Sequence, residues 1–229
     1  MLMQLTNEQL ARTIDHTLLK PDATSQQIEQ ICAEAVQYGF ASVCVLPWHV
    51  ARAASIVNAT TVAVCTVIGF PLGGTFVETK VAEAMRAMDH GATELDMVAT
   101  ITALKSGDAD AVFHDIRAVV SAVHERDGIV KVIIETCLLT DDEKRTMCAL
   151  VTQAGADFIK TSTGFSTGGA TVADVLLMRD HVGPGVSIKA SGGIRELSTA
   201  LSMLAAGATR LGTSSGVAIV NGLAGTSAY

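Results

Sequence analysis

The sequence predicts a single (β/α)8 barrel, a TIM barrel, over residues 1–229, with a short helix ahead of the first strand. Three observations predict it. A helical pattern closes on glycine and passes into a strand at Gly39, Gly91, Gly155 and Gly207, and glycine just past a helix end is the usual left-handed cap. The intervals between these positions, 52, 64 and 52 residues, are each about twice the ~30 residues of one strand–helix unit, so half-way units must exist. Short continuous apolar strands between amphipathic helices describe a parallel sheet, and eight such units close into a barrel of ordinary size, ~250 residues. The alternative is an open doubly wound sheet, which usually has fewer strands and a ligand crevice at a switch point.

The elements follow in order. A helical turn capped near Thr6 or Asn7 precedes strand one, 13–17. Thr24 and Gln27 form a capping box, and Ile28, Ile31, Cys32, Ala35 and Val36 mark one face of the next helix. Strand two, 41–46, stops at Pro47, and a helix over 48–57 leads to strand three, 61–68, and the loop Gly69-Phe70-Pro71-Leu72-Gly73-Gly74. Thr75 and Glu78 read as the cap of a helix that turns Val77, Val81, Ala84, Met85 and Met88 inward. Strand four is 93–98, and a long helix over 108–125 buries Val112, Ile116, Val119, Val120 and Val123. Strand five is 129–135. Thr140 and Glu143 cap the helix carrying Met147, Leu150, Val151 and Ala154. Strand six is 156–160. Thr171 and Asp174 start a helix to about 180, and strand seven is 186–190. A helix from Glu196 buries Leu197, Ala200, Leu201 and Leu204, strand eight is 209–211, and a last helix begins near Ser214.

Composition narrows the function. Hydrophobic residues make up 49% and aromatics 4% of the chain, so the core is built from Ala, Val, Ile, Leu and Met. The net charge is -7 and no Lys/Arg-rich run occurs, which argues against nucleic acid or an anionic membrane as partner. No run of ~18 apolar residues predicts a membrane span, and no basic-then-apolar signal segment opens the chain. The five cysteines, Cys32, Cys44, Cys65, Cys137 and Cys148, are odd in number, lack a C-x-x-C pair and lie mostly in apolar patterns. They fit a reducing, cytoplasmic compartment. His16, His49, His90, His114, His124 and His181 make no metal spacing. Of these, His90, His114, His124 and His181 lie on or near helix ends and read as solvated. Neither a metal nor a dinucleotide cofactor is expected.

Chemistry in such a barrel belongs at the C-terminal ends of the strands. Strand six ends in Lys160 and feeds a polar loop containing Gly164; strand seven ends in Lys189; strand five ends at Glu135; strand four carries Glu94 and Asp96 on one side; the Asp15–Thr17 segment closes strand one. A lysine at a buried strand end is costly unless it is paired or neutral. A nucleophilic lysine must shed a proton from a group whose free pKa is ~10.4, and a neighbouring cation and desolvation both favour that. The amine then attacks a carbonyl, the iminium acts as an electron sink, and a carboxylate moves the protons. Lys160, Lys189 and Asp96 form that set. The competing readings are a salt-bridge ring inside the barrel, a lysine that reaches out to solvent, and a phosphate clamp for Lys189. Ser191-Gly192-Gly193 and Gly212-Thr213-Ser214-Ser215-Gly216 follow strands seven and eight, where TIM barrels often bind phosphate.

Read together, Ile14-Asp15-His16-Thr17-Leu18-Leu19-Lys20-Pro21, Ser42-Val43-Cys44-Val45, Gly69-Phe70-Pro71-Leu72-Gly73, Glu94-Leu95-Asp96-Met97-Val98, Lys131-Val132-Ile133-Ile134-Glu135-Thr136, Lys160-Thr161-Ser162-Thr163-Gly164-Phe165, Ile188-Lys189-Ala190-Ser191-Gly192-Gly193-Ile194-Arg195 and Gly212-Thr213-Ser214-Ser215-Gly216 resemble the deoxyribose-phosphate aldolase family, in order from about residue 12 to 220. The resemblance implies a class I aldolase that reversibly cleaves 2-deoxy-D-ribose 5-phosphate to D-glyceraldehyde 3-phosphate and acetaldehyde. It implies Lys160 as the Schiff-base lysine, and Asp96 and Lys189 as its proton-transfer and pKa-setting partners. Thr17, Cys44, Gly164, Gly192, Gly193, Ser214 and Ser215 would contact substrate or its phosphate, without a cofactor, in a homodimer or homotetramer. Departures from the family pattern fall at Ala99-Thr100-Ile101-Thr102 and at Leu46-Pro47-Trp48, and they bear on substrate range. Tyr229 at the C-terminus is a further candidate, because a terminal tyrosine in some relatives is thought to assist proton transfer; a frayed terminus is the competing reading. A transaldolase-like or keto-acid aldolase and a non-catalytic sugar-phosphate binder are the other functions considered. Use of acetaldehyde as donor, and turnover itself, separate them.

Overall fold

The structure is a computed structural model that describes residues 5–223. Eight parallel strands close into a barrel in sequence order: β1 Ile14–Leu18, β2 Ser42–Val45, β3 Ala63–Ile68, β4 Glu94–Val98, β5 Ile129–Ile133, β6 Phe158–Lys160, β7 Ser187–Ser191 and β8 Arg210–Thr213. Pairing of β1 with β8, Asp15 opposite Gly212, completes the ring. The helices are α1 Asn7–Ala11, α2 Ser25–Tyr38, α3 Val50–Val57, α4 Val77–Asp89, α5 Ile101–Lys105, α6 Ala109–His124, α7 Asp141–Ala154, α8 Val172–His181, α9 Leu197–Ala206 and α10 Gly216–Val220. One-turn 3-10 helices lie at Pro47–His49 and Thr136–Leu138.

Local sequence explains most boundaries. Thr6, Thr24 and Thr140 each cap a helix through a reciprocal box with Gln9, Gln27 and Glu143, which satisfies amides that have no partner inside the helix. Thr171 accepts from the Asp174 amide at the start of α8. Gly39 and Gly155 end α2 and α7 in the left-handed conformation, where a side chain would be strained.

The expected box at Thr75 and Glu78 does not form. Phe76 occupies the N-cap of α4 and makes no side-chain cap. The inward face of that helix also differs: Ala84, Ala87 and, unexpectedly, Lys80 are buried, while Val81, Met85 and Met88 only pack against the core edge. Val36 on α2 is exposed, since it sits at the margin of the buried stripe. Strand five ends at Ile133 rather than 135, because Glu135 turns into the left-handed region at φ 50°. His114 lies within α6 rather than at its end, and bonds back to the Asp110 carbonyl at 2.7 Å.

The strand alternation separates two interiors. Leu95 and Met97 of β4, Val130 and Val132 of β5, Ile159 of β6, and Ile188 and Ala190 of β7 face the helices and form the large apolar shell. Their neighbours Glu94, Asp96, Lys131, Lys160 and Lys189 face the barrel lumen and are also buried. A small second apolar cluster, Leu19, Cys44, Cys65 and Val67 with Leu46 and Phe70 against it, is separate from the shell.

Candidate active site

The lumen holds a chain of alternating charges. Asp96 on β4 is its hub. Its Oδ2 accepts from Lys160 Nζ at 2.7 Å and from Lys189 Nζ at 2.6 Å. Its Oδ1 accepts from Lys131 Nζ at 2.9 Å and from the Cys65 thiol at 3.3 Å. Lys189 also reaches Asp15 at 2.5 Å, and Lys131 reaches Glu94 at 2.7 Å. Arg210 at the start of β8 ties Asp15 at 2.7 Å to Glu94 at 3.0 Å, with its guanidinium over the Phe158 ring. Strand register brings these groups level: Asp96 is opposite Lys131, and Lys160 is opposite Lys189.

Burial and partners set the charge states. Burial alone would raise the Asp96 carboxyl, but Lys131, Lys160 and Lys189 overcome it and hold it well below the usual carboxylate range. Asp15 is held down against the same burial penalty by Lys189, Lys131 and Arg210. Burial works against the Lys189 ammonium, yet Asp15 and Asp96 together hold its pKa well above that of an ordinary lysine. Lys131 is raised in the same way, with Asp96 its strongest opposing partner. Lys160 differs by geometry. Among the described residues its ammonium has one carboxylate partner, Asp96, and its side chain is 4% exposed while Lys131 is fully enclosed.

The loops above this cluster are pinned by polar contacts. Glu135 stands beyond the end of β5 and accepts from the Thr163 amide and hydroxyl. It therefore fixes the loop after Lys160 instead of joining the lysine cluster. Thr161 and Ser191 exchange bonds between the β6 and β7 ends. Gly192 at φ 85° lies so close to Gly169 that a Cβ would come within 2.9 Å of its Cα. A Cβ at Gly212 would sit 2.9 Å from the Ser191 Cβ and 3.2 Å from Lys189 Cε, so this glycine makes room for the Lys189 side chain.

The other predicted positions fall as follows. Thr17 is buried at the end of β1, its hydroxyl donating to the Asp15 carbonyl at 2.8 Å. Cys44 is its register partner on β2. Gly164 and Gly193 have φ of 85° and 78° in the loops after β6 and β7, and a Cβ at Gly193 would meet open space. Ser214 and Ser215 line a cavity of about 460 Å³ together with Thr17 and Lys20. The Ser215 hydroxyl is buried and has no hydrogen-bond partner among the described residues. Tyr229 lies outside the described residues. Leu46 packs on the inner apolar cluster. Thr100 enters a separate buried network, in which Lys80 Nζ meets Asp115 at 2.6 Å, the Val98 carbonyl at 2.8 Å and Thr100 Oγ1 at 3.0 Å.

Sequence reasoning missed Lys131, Arg210, Cys65 and Lys80. Lys131 carries the same signal as Lys160, a lysine within an apolar strand, and Lys80 falls among the inward positions 77, 81 and 84 of its helix. For Arg210 and Cys65 only the strand register gives the position.

Fold and cluster together define an aldolase barrel. A sequence profile of the family described as DeoC/LacD family aldolase matches residues 10–222, and the chain belongs to that family; it is a carbon–carbon lyase. Two similar proteins bear the name deoxyribose-phosphate aldolase. One, from Geobacillus sp., is 58% identical over 96% of this chain and 98% of its own; the other, from Shouchella clausii, is 58% identical over the same shares. Among solved structures, a protein from Coccidioides immitis described as a deoxyribose-phosphate aldolase superposes with a TM-score of 0.91 at 48% identity, covering 95% of this chain and 86% of that one. The deoxyribose phosphate aldolase of Aeropyrum pernix, described as having a unique tetrameric structure, gives 0.89 at 36% identity over 94% and 91%.

Proposed function

We propose that the chain reversibly cleaves 2-deoxy-D-ribose 5-phosphate to D-glyceraldehyde 3-phosphate and acetaldehyde through a Schiff base on Lys160, with the whole barrel as one catalytic domain. The observation that carries this is the shared oxygen. Asp96 Oδ2 contacts both Lys160 and Lys189, and Lys189 is anchored a second time by Asp15. Lys189 keeps its charge, which leaves Lys160 as the amine released for attack.

The open-chain aldehyde carbon is attacked by Lys160 Nζ, and loss of water gives the iminium. Deprotonation of the C3 hydroxyl turns that carbon into the carbonyl of glyceraldehyde 3-phosphate. The C2–C3 bonding pair moves into the iminium and leaves an enamine. Protonation at C2 and hydrolysis release acetaldehyde and restore the lysine. Asp96, in contact with both amines, relays the protons, and Lys189 keeps the site positive while hydroxyl oxygens carry negative charge. The apolar cluster of Leu19, Cys44, Cys65 and Val67 adjoins Asp96 through Cys65 and suits the methyl group of a two-carbon donor. The phosphate is assigned to the loops with Gly192, Gly193, Ser214 and Ser215, where the exposed Gly193 backbone and the serine hydroxyls supply donors. Thr17 lines the cavity of Ser214 and Ser215, and Gly164 lies beside Gly192.

The protein is further proposed to be a homo-oligomer, dimer or tetramer, in a reducing cytoplasm. All five cysteines are free, and no described helix is long and apolar enough to cross a membrane. The test is a coupled assay of acetaldehyde released from 2-deoxyribose 5-phosphate. Turnover with this substrate supports the reading. Turnover only with a keto-acid or dihydroxyacetone donor, or phosphate binding without turnover, contradicts it.

A further inference from the structure

The two thiols inside the barrel have no proton-transfer role in the proposed reaction, and their arrangement points elsewhere. Cys44 and Cys65 are register partners on β2 and β3 and are both fully buried. Their sulfurs and a carboxylate oxygen of Asp96 all lie within 4.8 Å of one another. We infer that Cys44, Cys65 and Asp96 form an inhibitory site for a thiophilic divalent cation, Zn2+ or Cd2+.

Two thiolates and one carboxylate, with water as the fourth ligand, make a tetrahedral set that zinc and its heavier relative accept. With Zn–S bonds of ~2.3 Å the tetrahedron requires sulfurs ~3.8 Å apart, so side-chain movements of about 1 Å close the site. Charge balance favours it. The lumen holds Lys131, Lys160, Lys189 and Arg210 against Asp15, Glu94 and Asp96. Binding one M2+ releases two thiol protons, M2+ + 2 RSH giving M(SR)2 + 2 H+, so the total charge of the cluster is unchanged. Lys131 lies 3.4 Å from the Cys65 sulfur and yields Asp96 Oδ1 to the metal, while Glu94 at 2.7 Å retains its ammonium. A second trio, Asp15, Cys65 and Glu94, is as compact but offers one sulfur, and is the poorer soft-metal site. Once ligated through Oδ1, Asp96 is drawn towards β2 and β3, which pulls its Oδ2 away from Lys160 and Lys189 and neutralises the carboxylate they share. Only this inhibitory consequence rests on the function proposed above; the binding itself does not.

The probe is cadmium, titrated into the full chain without substrate and followed by thiolate-to-cadmium charge-transfer absorbance. The expected result is one equivalent bound, with the band reduced at least twofold in Cys44→Ser and in Cys65→Ser and unchanged in Cys137→Ser, which removes the exposed thiol. Cys44→Ala and Cys65→Ala repeat the test where serine disturbs the packing. Cleavage activity should fall at least tenfold at saturation and return on chelation. A band that survives both inner-thiol variants, or disappears in Cys137→Ser, overturns the site. A saturated pair with full cleavage activity overturns the inhibition. A chain that shows the two-thiolate band but never cleaves the deoxyribose phosphate supports the site and contradicts the proposed function alone.

Discussion

Lys80 and Lys160 are both buried lysines beside an aspartate, yet their surroundings have opposite designs. Lys80 is sealed between α4 and α6, and its three ammonium hydrogens have three acceptors: Asp115, the Val98 carbonyl and Thr100. Its hydrogen-bonding capacity is filled, and its network ties the end of β4 to the helices. Lys160 stands at the end of a strand, with one carboxylate partner among the described residues, which it shares with Lys189. The electrostatics differ too. Around Lys80, burial outweighs Asp115 and lowers its pKa. Around Lys131 and Lys189, several acids outweigh burial and raise theirs. A buried lysine with a full set of acceptors is a structural post; the one that shares its acceptor at a strand end is the proposed nucleophile.

That contrast can be broken by substitution, most sharply at Lys160. Lys160→Ala should lower kcat on the order of 10⁴-fold or more, as loss of a nucleophile does, and leave the melting temperature near that of the parent. Equal loss of activity and fold would place Lys160 with Lys80. Asp96→Asn should reduce kcat by roughly 10²–10⁴-fold and also destabilise the barrel, because Lys131 and Lys189 lose their common partner. Steady-state kinetics beside thermal unfolding separate the two effects.

Lys80→Met should act the other way. Leaving Asp115 buried and unpaired costs about 3–5 kcal/mol in chemical unfolding, while the folded fraction keeps a kcat close to that of the parent. Adding Asp115→Leu should recover most of the loss, since an apolar replacement of a buried pair is often neutral. A large fall in kcat of the folded Lys80→Met protein would show that the two sites are coupled.

The smallest effect is in pH. Asp15 and Asp96 have folded pKa values below their ordinary 3.8, so their stabilisation is complete above 3.8 and is lost as pH falls further. Lys131 and Lys189 have folded values above 10.5, so theirs is complete below 10.5 and is lost as pH rises beyond it. Lys80 has the opposite sign. With a folded value below 10.5, stability gains from its deprotonation between that value and 10.5. The melting temperature should therefore be nearly flat across neutral pH and fall in strong acid and again in strong base. A steep slope near neutrality would contradict this assignment of charges.

Much of this was legible in the sequence because strand and helix periodicity is local. The glycine punctuation located the units, and three of the expected threonine capping signals, at Thr24, Thr140 and Thr171, appear where they were read. Thr75 failed because a cap needs a turn of the right geometry, and the loop before α4 places Phe76 there instead. In the site, Asp15, Asp96, Lys160 and Lys189 were found from strand ends alone. Lys131 was not, although it carries the same signal as Lys160, and Arg210 was not, because what makes it part of the cluster is register across the closed sheet, which sets Lys189 opposite Arg210. Glu135 was assigned to the mouth by position, but one left-handed residue redirects it to Thr163.

The most direct test of the central claim is reductive trapping. The protein is mixed with acetaldehyde, reduced with borohydride, digested, and its lysine peptides are weighed. One two-carbon adduct is expected, on Lys160, absent from Lys160→Ala and undiminished in Lys80→Met. An adduct on Lys189 in place of Lys160 would contradict the assignment of the released amine, and no adduct on any lysine would contradict the Schiff-base mechanism itself.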